Sequence, residues 1–108
     1  MNHETIATLH DIKQAILQQR TLTMRQISVR LAASEAERDA LLDDLNRAGG
    51  DETITTAIAA TRYRAFQKKA LVQVSQTIDA ITLEYREAEN ELTATFAEVR
   101  AIERLMQR

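Results

Sequence analysis

Nowhere in 108 residues does a proline occur, and the only two glycines stand side by side, at Gly49 and Gly50. Proline removes a helical hydrogen bond and clashes with the preceding turn, so a chain without it lacks the strongest helix stop. Glycine just past a helix end supplies the left-handed cap that lets the chain change direction. The sequence therefore predicts two long helices and one break. Helix 1 is expected at about residues 4–48, a turn at 49–51, and helix 2 at about 52–107. Asp51 or Thr53 can cap the second helix, and Glu52 is well placed in its first turn. The abundance of Ala, Leu, Glu, Arg and Gln agrees, because these side chains lose little freedom in a helix.

Helix 2 carries the clearest periodicity. Leu71, Val74, Ile78, Ile81, Tyr85, Ala88, Leu92, Thr95, Val99, Ile102 and Met106 follow one another at alternating spacings of three and four. Such a run is the mark of a left-handed coiled coil. Ala57, Ala60 and Gln67 continue the frame upstream with small or polar side chains. On helix 1, Leu17, Met24, Ile27, Leu31, Leu41, Leu45 and Ala48 share one frame, into which Arg20, Ser34 and Arg38 also fall. Leu9, Ile12 and Ile16 stand one position out of phase. The apolar stripe therefore widens near the start of helix 1, where it can serve two neighbours. The fold class expected is all-α, a two-helix antiparallel coiled-coil hairpin with a short Gly-Gly turn.

With the turn at Gly49-Gly50, facing residues have numbers totalling about 99. Glu35, Glu37, Asp39, Asp43 and Asp44 then lie near Arg62, Arg64, Lys68 and Lys69, while Lys13 and Arg20 lie near Asp79, Glu84 and Glu87. Opposite charges beside the seam select orientation in coiled coils. The same register leaves Val99 to Arg108 projecting beyond helix 1. Their seam residues Val99, Ile102 and Met106 would lack an intramolecular partner, with Arg100, Arg104 and Arg108 on another face. These six are the expected contact residues for a partner at the open end.

Other chemistry is disfavoured. Two paired helices offer no water-excluding pocket with convergent groups, so no enzyme and no cofactor are expected. His3 and His10 lie seven apart, with Glu4 and Asp11 beside them, but zinc sites on helices use a four-residue spacing and a third ligand; no metal site is expected. Lys13, Arg20, Arg25 and Arg30 are scattered round the helix with no aromatic among them, which argues against nucleic acid. A net charge of −2 gives no global pull towards polyanions. The absence of cysteine excludes disulfides, and no apolar run is long enough to enter a bilayer. A cytoplasmic location is expected.

Arg62-Tyr63-Arg64-Ala65-Phe66-Gln67-Lys68-Lys69 concentrates half of the aromatic side chains beside four positive charges. This segment, continuing to Leu71, Val74 and Ile78, resembles the start of the second helix in the FliJ family of bacterial flagellar and type III export proteins. The stretches Tyr85-Arg86-Glu87-Ala88-Glu89-Asn90-Glu91-Leu92 and Glu98-Val99-Arg100-Ala101-Ile102-Glu103-Arg104-Leu105 resemble that family's charged C-terminal heptads. The resemblance implies a two-helix stalk whose open end enters the pore of a hexameric export ATPase. It further implies contacts with the cytoplasmic domain of the export gate and with export chaperones. Val99, Arg100, Ile102, Arg104, Met106 and Arg108 would then face the ATPase, and Tyr63, Phe66 and Ala70 the gate or chaperones. The chain would be a monomer or weak homodimer, peripheral to the membrane apparatus. The competing reading is an unrelated coiled-coil adaptor or a homo-oligomeric structural protein.

Overall fold

A computed structural model describes residues 2–47 and 54–108. Helix α1 runs His3–Arg47 and helix α2 runs Ile54–Met106, and no strand occurs among the described residues. The fold is the expected all-α helical hairpin. The glycine turn, Asp51 and Thr53 as caps, and Ala48 as a seam residue lie outside the described residues. Helix α1 opens on Asn2, whose side-chain Oδ1 accepts the Thr5 backbone N–H at 2.8 Å. That satisfies one of the orphan donors of the first turn.

Threonine, a modest helix former, is tolerated by a repeated local device. The hydroxyls of Thr21, Thr23, Thr61, Thr77, Thr82 and Thr95 each donate to the carbonyl four residues earlier, at 2.7 to 3.1 Å. This matters most at Thr95, which is buried in the seam and needs a partner for its hydroxyl.

The chain divides into two compact units. The terminal unit joins Met1–Ser28 to Leu83–Arg108. Here the helices are antiparallel, because partners on α2 fall in number as those on α1 rise. The Lys13 ammonium lies 2.5 Å from Glu98, Arg20 donates to the Glu91 carboxylate, and His10 Nε2 stands 3.9 Å from Glu103. The numbers in these pairs total 111 or 113, not 99. The expected partners of Lys13 and Arg20 (Asp79, Glu84 and Glu87) are thus displaced by carboxylates further along α2. Level with the start of α1 at His3 is the end of α2 near Arg108, so α2 has no overhang here. Val99 is 2% exposed and Ile102 is 7% exposed. Both are packed inside the hairpin, and the expectation that they lack an intramolecular partner is overturned.

The physical reason is periodic. The salt bridges bring Leu17 opposite Thr95, where the expected register brings it opposite Ile81. Thr95 and Ile81 occupy the same heptad position two repeats apart. A slide of two heptads, about 21 Å at 1.5 Å per residue, returns the same faces to the seam, so periodicity alone leaves the register open.

The inner unit is Val29–Thr82. Val74, Ile81 and Gln67 are buried in it, and Leu71, Ile78, Leu31, Ser34, Arg38, Leu41 and Leu45 are half-buried. These are the frame positions read from the sequence, polar members included. Tyr85 and Leu92 hold the same frame, half-buried, in the terminal unit. The seam is therefore lopsided: among the described residues α2 supplies four of the five buried apolar side chains, Val74, Ile81, Val99 and Ile102, against Ile27 on α1, while α1 contributes half-buried His10, Lys13, Arg20 and Arg38.

Candidate protein-docking site

The six residues assigned to the open end separate into two groups. Val99 and Ile102 belong to the hydrophobic seam. Arg100, Arg104, Met106 and Arg108 remain exposed on the last turns of α2. Arg100 is held by its own helix, its guanidinium carbon 5.4 Å from the centroid of the Phe96 ring four residues before it. That is within range of a cation–π attraction, which orients the arginine along the helix. What this end offers a partner is a surface of exposed arginines beside exposed Leu105 and Met106, and not an unfilled apolar seam.

The inner unit differs. Tyr63 is 60% exposed and Phe66 is 69% exposed, while Ala70 between α2's outer face and the seam is half-buried. The spacing of Tyr63, Phe66 and Ala70 puts them along one side of α2. Two helices bury one stripe each, and an aromatic off that stripe has no third layer to enter. Around the pair stand Arg62, Lys68 and Lys69, all exposed. Among the described residues no ion pair reaches Arg62, Arg64, Lys68 or Lys69, and the Arg64 Nε is buried without a hydrogen-bond partner. The cross-helix pairing expected between these cations and the acids of residues 35–44 is not formed there. Within that segment Asp39 accepts from its neighbour Arg38 at 3.1 Å.

From Thr53 to Ile78 the sequence contains four cations and no acid. Exposed Ile58, Tyr63, Phe66 and Val72 fall in the same stretch. An exposed apolar and cationic surface of this kind suits an anionic, partly apolar protein surface. The exposure of Tyr63 and Phe66 agrees with their position off the seam in sequence; Ile58 and Val72 are exposed on another side of the same helix.

Elsewhere the described residues offer little chemistry. No group of three or more His, Asp or Glu side chains is placed to hold a metal among them. His10 instead turns towards Glu103 and Asp11, at 3.9 and 3.8 Å. No helix among them is long and apolar enough to cross a membrane. No family model matches the chain, and no curated protein or solved structure matches it.

Proposed function

We propose that this chain is a non-catalytic docking hairpin that binds other proteins, and that its setting is the bacterial flagellar or type III export apparatus. The observation that carries the docking role is the exposure of Tyr63 and Phe66 within an acid-free, cationic stretch of α2. The setting rests on the resemblance of that stretch and of the α2 heptads to the FliJ family. In this reading Tyr63, Phe66 and Ala70 meet the export gate domain or an export chaperone. The exposed arginines at the end of α2, Arg100, Arg104 and Arg108, meet the export ATPase ring, and Val99 and Ile102 hold the hairpin closed behind them.

Two measurements on the full-length chain test this. Adding it to the purified export ATPase of the same organism should raise ATP turnover, and Arg100→Glu with Arg104→Glu should remove that effect. Tyr63→Ala with Phe66→Ala should abolish binding to the gate domain or chaperone while leaving helicity intact. No change in turnover and no binding to either protein would reject the export setting. The broader alternative, a coiled-coil adaptor that associates with itself, draws on a separate surface of the inner unit.

A further inference from the structure

Opposite its seam, α2 carries a second strip with the same three-four spacing: Ile58, Arg62, Ala65, Lys69 and Val72. All five are exposed, and Ile58 and Val72 are each more than half exposed. The strip is apolar at its ends and centre and cationic between. It lies on a different side of α2 from Tyr63 and Ala70.

Helix α1 carries a counterpart within the same inner unit. Ala32, Ala36, Asp39 and Asp43 follow the corresponding spacing and are all exposed. This strip is made of small side chains and carboxylates. Asp39 already accepts from Arg38 through one oxygen, which leaves its other oxygen available. The two strips are complementary in both respects that matter. The α2 strip offers branched side chains and two cations, and the α1 strip offers small side chains and two anions.

They cannot meet within one hairpin, because each faces away from the seam. We propose that the α1 strip of one copy docks on the α2 strip of a second copy, so that the chain associates with itself through its inner unit. Charge selects this pairing over its rivals: α2 on α2 would oppose Arg62 and Lys69 to their own kind, and α1 on α1 would oppose aspartates. The contact leaves Tyr63 uncovered, while Phe66, four residues after Arg62 and three before Lys69, borders it. Its charge-exchange test uses neither Tyr63 nor Phe66, so its failure is distinguishable from failure of the export reading.

Charge exchange tests it. One variant carries Asp39→Lys and Asp43→Lys; the other carries Arg62→Glu and Lys69→Glu. Circular dichroism should show each as helical as the wild type, since all four sites are exposed. In sedimentation at about 0.1 mM chain, a concentration that populates micromolar to sub-millimolar complexes, the wild type should exceed the monomer mass. The excess should shrink in 1 M salt, where the screening length falls to about 3 Å. Each variant alone should sediment as a monomer, and an equimolar mixture should recover the wild-type mass. Ile58→Ser with Val72→Ser should also give a monomer, which checks the apolar half of the contact without altering charge. A monomeric wild type, variants that still associate alone, or a mixture that stays monomeric would each overturn the proposal. Capture of a different acidic protein by Arg62 and Lys69 while the wild type remains monomeric would overturn it too, and would leave the docking role of Tyr63 and Phe66 untouched.

Discussion

The terminal and inner units use the same heptad seam to different ends. In the terminal unit the polar residues that α1 places in the seam reach carboxylates on α2: Lys13 to Glu98, Arg20 to Glu91, His10 towards Glu103. Val99 and Ile102 are buried beneath them. Other apolar side chains of the unit stay exposed, Leu22, Leu83 and Phe96 among them. In the inner unit Arg62, Arg64, Lys68 and Lys69 have no ionic partner among the described residues, and aromatic and branched side chains stand in water. The two units thus differ in ionic pairing beside the seam, while both leave apolar side chains exposed. The lesson is that the sites to seek in a two-helix protein are where its internal pairing is left incomplete, not simply where its chain ends.

The largest effect that would break this contrast concerns residues 99–108. Deleting them should destabilise the hairpin by about 3–6 kcal/mol, the loss of two buried aliphatic side chains at 1.5–3 each. Thermal melts followed by circular dichroism would read this as an early, broad loss of helix. A truncated chain as stable as the parent would mean that Val99 and Ile102 contribute no packing. Gln67→Leu comes next. Gln67 is buried in the inner seam, where an apolar residue should add about 1 kcal/mol of stability and raise the melting temperature. A lower melting temperature would show that the amide makes contacts worth more than its burial costs. A double-mutant cycle on Arg20→Ala and Glu91→Ala should give a smaller coupling, about 0.3–1 kcal/mol, as for partly exposed pairs. It should fade in 1 M salt; a salt-independent coupling would contradict an edge-of-seam bridge. The smallest change is expected at Phe66→Ser, within about 0.5 kcal/mol of the wild type, as for surface sites. A large loss there would place Phe66 in the fold and not on a docking surface.

How much of this was legible in the sequence varies from residue to residue. The helices could be read because no proline and no glycine interrupts the sequence of either one, and the described residues form α1 over His3–Arg47 and α2 over Ile54–Met106. The seam could be read down to its polar members, since Thr95 and Gln67 occupy frame positions and are buried as the frame requires. The pairing of one helix with the other could not. Leu17 fits opposite Ile81 or Thr95 equally well by period, and counting outward from the glycines chose the wrong one. Charge did not decide it either, since both registers set carboxylates near Lys13 and Arg20; the structure pairs them with Glu98 and Glu91. That error moved the expected site, because it made Val99 and Ile102 look unpartnered. The exposure of Tyr63 and Phe66 could be read because it follows from their position on one helix and does not depend on register.

The threading of the terminal unit sets an order of events in folding. The Arg20–Glu91 bridge joins residues 71 positions apart in the chain. Closing so long a loop first would cost more entropy than one local contact returns, and each doubling of loop length adds about 0.6 kcal/mol. The helices should instead meet near the inner unit and zip outward, so the bridges of the terminal unit form last and open first. During synthesis, residues 3–28 must wait, already helical or not, until the ribosome has made Glu91 and Glu98. For that interval Leu17, Met24 and Ile27 lack the helix that covers them in the finished hairpin, and Lys13 and Arg20 stand in the same stripe without Glu98 and Glu91.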